Sequence, residues 1–104
     1  MAGKIRLRAE LRDDGVTEVK ALMRHPMETG QRKDEEGQTI PAHFITEVTA
    51  MLGDRVLMHC YWGPAVSQNP FLGFRFSGGS AGDVVKISWT DNRGETGDGE
   101  AAIR

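Results

Sequence analysis

Lys4-Ile5-Arg6-Leu7-Arg8-Ala9-Glu10-Leu11, turned by Arg12-Asp13-Asp14-Gly15 and answered by Val16-Thr17-Glu18-Val19-Lys20-Ala21-Leu22-Met23-Arg24, is the stretch that decides the fold. Ile5, Leu7, Ala9 and Leu11 share one parity, while Lys4, Arg6, Arg8 and Glu10 take the other. A period of two with one wet face is the pattern of a half-buried strand. The answering run alternates in the same way, with Val19, Ala21 and Met23 set against Glu18 and Lys20. Asp-Gly between two such runs is a strong hairpin signal.

The same reading extends over the rest of the chain. From about His25 to Ala42 the sequence is polar and without period, densest in charge at Gln31-Arg32-Lys33-Asp34-Glu35-Glu36-Gly37. It reads as a loop with a short strand or turn around Thr39-Ile40, and loops of this length tend to be functional or mobile. His43 to Leu52 resumes alternation, with Phe44, Thr46, Val48, Ala50 and Leu52 as the inward set. Gly53-Asp54 predicts a two-residue hairpin with glycine first. Arg55 to Trp62 follows, with Val56, Met58, Cys60 and Trp62 expected to face inward. Leu72, Phe74 and Phe76 form the next inward set, after which Ser77 to Asp83 is a loop. Val85, Ile87 and Trp89 mark a further strand from Val84 to Asp91, and a weak last strand is expected up to Ile103. About seven short strands with no helical period predict an all-β, immunoglobulin-like Greek-key sandwich, with Trp62 and Trp89 as core anchors.

Composition sets the bounds. A chain of 104 residues makes one domain, spanning 1–104, that is large enough for a core without stapling. A formal charge of -2 gives no argument for nucleic acid or an anionic membrane as partner. No apolar run approaches the length of a membrane span. The first residues lack the apolar core of a secretory signal, so the expectation from composition is a cytoplasmic chain, unless it crosses a membrane attached to another protein. With one cysteine, no internal disulfide can form.

Catalytic and metal chemistry find little support. The candidate ligands are His25, His43, His59, Cys60 and the methionines. A copper sandwich needs His and Met shortly after its Cys, and neither occurs after Cys60. His59 and Cys60 are strand neighbours and point to opposite faces. No metal or cofactor is therefore expected, with a small metal-binding or electron-transfer sandwich as the competing class. Cys60 shares parity with the inward set, which favours a buried, inert thiol over a nucleophile. His25-Pro26-Met27-Glu28-Thr29-Gly30 brings His and Glu close together, but acid-base work needs a second positioned group and a pocket. It reads as a strand end capped by proline. Asp91, Asp98 and Glu100 are expected to face solvent. Gly78-Gly79 with Gly82 lacks the lysine and helix start of a phosphate cradle. No active site emerges, and the chain is not expected to be an enzyme.

Trp62-Gly63-Pro64-Ala65-Val66-Ser67-Gln68-Asn69-Pro70-Phe71 carries unusually specific chemistry for a connection. Gly63 admits backbone angles other residues avoid, Pro64 and Pro70 fix φ, and Asn69 before proline is pushed toward extended geometry. The loop is stiff and apolar at both ends. It suits presentation to a partner, and it equally suits a structural corner.

Three segments together carry a family resemblance: Arg24-His25-Pro26-Met27-Glu28-Thr29-Gly30; Arg32-Lys33-Asp34 with Ile40-Pro41-Ala42-His43-Phe44-Ile45; and Trp62 to Phe71. In that order, with Ala81-Gly82-Asp83 and the Trp89 region, they resemble the SoxZ family over nearly the whole chain. The resemblance implies an immunoglobulin-like sandwich that is the non-catalytic subunit of a sulfur carrier in bacterial thiosulfate oxidation. It implies a heterodimer with SoxY, which holds sulfur intermediates on a cysteine in a mobile Gly-rich arm, and through SoxY a link to the other Sox enzymes. It also implies a periplasmic location reached with a signal-bearing SoxY, which reverses the cytoplasmic expectation. The closing Gly97-Asp98-Gly99-Glu100-Ala101-Ala102-Ile103-Arg104 has no cysteine to load, so this chain resembles the scaffold and not the carrier. On this basis Met27, Trp62, Pro64, Val66, Pro70 and Phe71 are the expected partner contacts, with the prolines pre-shaping the loop. Arg32 and Lys33 are candidates for attracting anionic sulfur adducts, against a plain solvated charge run. An exposed half-interface would also favour homodimers of the isolated chain.

Overall fold

The opening alternation folds as a hairpin. In the computed structural model, which describes residues 3–104, β1 (Gly3–Leu11) and β2 (Val16–Met23) pair antiparallel from Ile5 opposite Met23 to Leu11 opposite Thr17. Gly15 turns the chain with φ +82°, and the Asp14 carboxylate accepts the Val16 N–H at 3.0 Å. Five more strands follow: β3 (Ile45–Leu52), β4 (Arg55–Tyr61), β5 (Phe71–Ser77), β6 (Val84–Asp91) and β7 (Thr96–Ala102). Among the described residues there is no helix.

The hydrogen-bonded order is β4-β3-β6-β7-β1-β2-β5. It folds over into two layers, β4-β3-β6-β7 and β1-β2-β5, joined where the start of β1 runs parallel to β7 at Gly3 opposite Gly97 and Lys4 opposite Asp98. The pairs β2–β5 and β3–β6 are not consecutive in sequence, so the chain crosses between layers in Greek-key fashion. This is the immunoglobulin-like β-sandwich that the strand count predicts.

Inward side chains from both layers meet in one core. Ile5, Ala9, Val19, Ala21 and Met23 come from one sheet; Ile45, Val48, Ala50, Val85, Ile87 and Trp89 come from the other, and all are buried. Burying a Val- or Ile-sized side chain is worth roughly 1.5–3 kcal/mol, so this set dominates the favourable side of folding. β7 contributes glycine at its inward positions, opposite Trp89 and Ile87. A Cβ on Gly97 would collide with the Trp89 indole, and one on Gly99 would come within 2.5 Å of the Ile5 carbonyl, so glycine lets β1 and the Trp89 ring lie close. The opposite side is looser. Met58, Cys60, Leu72, Phe74 and Phe76 face the core from β4 and β5 yet stay only half-buried. Arg55 caps one end of this seam, over the Phe76 ring at 5.8 Å and donating to the Ser77 carbonyl at 2.9 Å.

Two bulges correct the strict parity. Against β6, Ile45 sits opposite Asp91 but Glu47 sits opposite Thr90, leaving Thr46 as an extra residue. Ile45 and Val48 are consequently both fully buried, which the Phe44-Thr46-Val48 parity does not anticipate. In β4, Ala50 faces Met58 and Met51 faces Val56, so Leu57 is the extra residue. Val56, expected inward, is turned out and is 57% exposed. An extra residue on one strand inverts the parity beyond it, and alternation alone cannot reveal where that happens. The hairpin between these strands is as expected, with Gly53-Asp54 as its two residues and φ +58° at Gly53.

The polar excursion is more ordered than a bare loop. It doubles back through bridges at Glu28–His43 and Lys33–Thr39, and its tip is closed by Asp34, whose carboxylate accepts the N–H groups of Glu36 and Gln38. Of the short strand or turn expected around Thr39-Ile40, no strand forms; the chain makes an isolated bridge at Lys33–Thr39, with Ile40 N–H donating to the Arg32 carbonyl at 2.8 Å.

Candidate functional site

The quoted segments converge at one end of the sandwich. Pro26 has no N–H for the ladder, so β2 stops short of it, and His25 remains on the inward parity of Val19, Ala21 and Met23. Met27 then adopts φ +49°, a left-handed conformation uncommon for a non-glycine residue. That turn aims the Met27 N–H back at His25 Nδ1 at 3.1 Å, and the Met27 sulfur accepts the Ile45 N–H at 3.4 Å. Asn69, also left-handed at φ +51°, ties its loop to the same place. Its side-chain oxygen accepts the His25 N–H at 3.1 Å and its own N–H donates to the His25 carbonyl at 3.0 Å. Asn92 holds the segment around His43. It accepts the Phe44 N–H at 2.8 Å on its side-chain oxygen and donates its amide to the Ala42 carbonyl at 2.9 Å.

Asp91 lies at the centre of this corner. Oδ2 takes hydrogen bonds from His25 Nε2 at 3.0 Å and from His43 Nε2 at 2.7 Å; Oδ1 takes the backbone N–H groups of Arg93 and Glu95, both at 2.9 Å. Its side chain is fully buried. Burial alone pushes the carboxyl up, but the two imidazoles and two backbone donors outweigh it and bring the pKa down to about 2. His43 Nε2 also reaches Glu95 Oε2 at 3.1 Å. The His25 ring packs edge-on to Trp89 at 5.0 Å and to His43 at 4.6 Å.

His25, His43 and Asp91 can each offer one ligand atom, all lying within 4.8 Å of one another. Their hydrogen bonding, however, is that of a closed proton network. Because His25 Nδ1 accepts the Met27 N–H, a neutral His25 carries its proton on Nε2 and donates it to Asp91. A metal-bound histidine does the reverse, giving up a lone pair on one nitrogen and donating from the other. A cation here would have to break the Met27 bond first. The open depression beside the corner, about 560 Å³ and lined by Glu28, Arg32 and Gln68 among others, is not lined by His25, His43 or Asp91. The arrangement ties His25, His43 and Asp91 to one another and to the backbone.

The expectation that Asp91 faces solvent is thus corrected, while Asp98 and Glu100 are exposed as expected. A signal was available. Asp91 continues the parity of Val85, Ile87 and Trp89, and His25 continues that of Val19, Ala21 and Met23. His43 was hidden by the bulge at Thr46.

Comparison with known proteins gives this end of the sandwich its context. The model of the family described as sulphur oxidation protein SoxZ matches residues 5–102. The chain belongs to the SoxZ family. No curated protein matches it. Among solved structures, it is similar to a superoxide reductase (neelaredoxin) from Ignicoccus hospitalis, with TM-score 0.61 and 16% identity, covering 100% of this chain and 80% of that one. A reduced-form superoxide reductase (neelaredoxin) variant from Archaeoglobus fulgidus gives TM-score 0.52 and 19% identity, over 97% of this chain and 86% of that one. At such identities these likenesses concern the fold alone.

Within this SoxZ-family chain, the residues expected to contact a partner divide into two groups. Met27 is 5% exposed and Pro70 is also buried, its carbonyl accepting the Met23 N–H at 3.0 Å. Both take part in the corner, and Met27 also lines the open depression beside it. Trp62 and Val66 are half-buried against the core, Pro64 is exposed at the first central position of the Gly63–Val66 turn, and Phe71 is 64% exposed. The loop is therefore a corner at Asn69-Pro70 and a presented turn at Pro64. Cys60 is half-buried, and burial raises its thiol pKa, with a partly opposing hydrogen bond from Trp62. That is the environment of an unreactive thiol. Arg32 is occupied by Glu28, at 3.0 and 3.2 Å to the two carboxylate oxygens, which favours the solvated-charge reading of that run.

Proposed function

We propose that this SoxZ-family sulfur-oxidation component is a non-catalytic scaffold subunit. It pairs with SoxY, whose cysteine arm carries sulfur intermediates through thiosulfate oxidation, and by that pairing it reaches the other Sox enzymes. The carrying observation is that the conspicuous cluster of chemical groups among the described residues, around Asp91, is committed to internal hydrogen bonds. The single thiol supports the same reading, because Cys60 is fixed within β4 and half-buried, where it can neither swing nor ionise readily. Export to the periplasm would follow from pairing with a signal-bearing SoxY.

The test is coexpression with a SoxY subunit, followed by size and mass analysis of the product. A one-to-one complex is expected, with sulfur adducts on SoxY alone. Sulfane sulfur bound to this subunit during turnover, or turnover by this subunit without SoxY, would overturn the proposal. Alanine at Phe71, which is 64% exposed, should weaken copurification while leaving the fold intact. The competing metal-binding or electron-transfer sandwich rests on the proximity of His25, His43 and Asp91. Stoichiometric metal in the purified chain would favour that reading.

A further inference from the structure

The two outer faces of the sandwich carry opposite charge. On β1, β2 and β5 the exposed cations Lys4, Arg6, Arg8, Lys20 and Arg75 outnumber the outward carboxylates of Glu10 and Glu18. On the other sheet, among the described residues, Glu47, Asp98 and Glu100 face out against Lys86, while Arg55 is turned over Phe76 at the seam. The positive face is positive in effect as well as by count. Glu18 is already shared by Arg12 at 2.5 Å, Arg75 at 3.0 Å and Lys20 at 3.7 Å. Among the described residues, Arg6 and Arg8 make no ion pair.

An apolar centre lies within this charge. Leu22 and Phe71 are directly opposite each other on β2 and β5, 40% and 64% exposed. Gly73 has no side chain to hold the Phe71 ring off the sheet; a Cβ there would lie 3.3 Å from the ring. The ring makes a ridge between two grooves. The one toward β1, about 190 Å³, is bordered by Arg6, Arg8, Lys20 and Leu22. The one on the outer side, about 310 Å³, is bordered by Lys20, Gly73 and Arg75. An aromatic anchor with a rim of one charge is the anatomy of a protein-docking patch.

We propose that the outer face of β5-β2-β1 is the docking face of this chain, and that its occupant is a protein surface presenting carboxylates around an apolar recess that receives Phe71 and Leu22. This rests on the pairing proposed above and assigns that pairing to one face. The rim cations steer the approach, and the Phe71–Leu22 ridge sets the lifetime of the complex.

The experiment measures affinity for the coexpressed, purified SoxY partner at two salt concentrations, for wild type, Phe71→Ala, an Arg6→Glu/Arg8→Glu double variant, and Tyr61→Ala. Tyr61 is the control, 76% exposed on β4 in the other sheet. Circular dichroism and melting confirm that each variant is folded. Phe71→Ala should weaken binding about 10-fold or more. The double reversal should slow association and flatten its salt dependence, and Tyr61→Ala should change affinity less than about 2-fold. Full affinity in both face variants overturns the docking face while leaving the pairing intact. Failure of wild type to bind SoxY at all removes the pairing itself. If the variants lose only self-association of the isolated chain, the occupant is a second copy and the proposal falls.

Discussion

The His25 corner and the Phe71 face are built from neighbouring sequence and do opposite things. At the corner both carboxylate oxygens of Asp91 are engaged twice, and two left-handed residues are tolerated to bring the donors in. On the face, Leu22 and Phe71 stand exposed opposite each other, and Arg6 and Arg8 make no ion pair among the described residues. The difference shows that conspicuous motifs and accessible surface need not coincide. His25-Pro26-Met27 and Asn69-Pro70 look like recognition elements, yet they fasten one end of the sandwich. The surface fitted for contact lies on the outward parity of ordinary strands.

Removing Asp91 should break the corner most severely. Asp91→Ala leaves two imidazole N–H groups and two backbone N–H groups without their acceptor, and the loss of a buried ion partner typically costs 3–5 kcal/mol. Urea unfolding should show a destabilisation of about that size, with Asp91→Asn intermediate. A loss under about 1 kcal/mol would mean the corner is not a structural lock.

Acid should act on the same group more gently. The Asp91 carboxyl sits at about 2 in the folded chain against an ordinary 3.8, so folding favours its ionised form. A lowered folded pKa gives stability that is complete above the unfolded value and lost as pH falls through the folded one. Between roughly pH 5 and pH 2 the wild type should lose about 2 kcal/mol from this group. Asp91→Asn should show a flatter pH profile over that range, and identical slopes would count against the assignment.

The smallest effect is expected on the face. Phe71→Ala should change unfolding free energy by no more than about 0.5 kcal/mol, as for other exposed positions, even though it weakens docking. A large loss of stability there would show that the ring supports the fold, and would blur the contrast between the two regions.

Much of this was legible in the sequence. Alternation is a local property of a strand, so seven strands and the inward sets Val85-Ile87-Trp89 and Leu72-Phe74-Phe76 could be read residue by residue. The Asp91 network was harder to see, because its members are separated by 48 and 66 positions and meet only after β2, β3 and β6 are stacked. Parity marked His25 and Asp91 as inward, but the polarity of Asp91 argued for the surface. Pairing resolves that conflict, since a buried charge is tolerable once its hydrogen bonds are complete. Val56 and Ile45 were misplaced for another reason: a bulge is set by the partner strand, which a single stretch of sequence does not display.

The extra residue at Leu57 bears on how this protein behaves when crowded. β4 ends its sheet, and an unbroken free border invites a neighbouring molecule to zip on. The kink deforms that border midway, so no long straight run of unpaired amides is on offer. The chain is thereby discouraged from polymerising with its own kind along this edge.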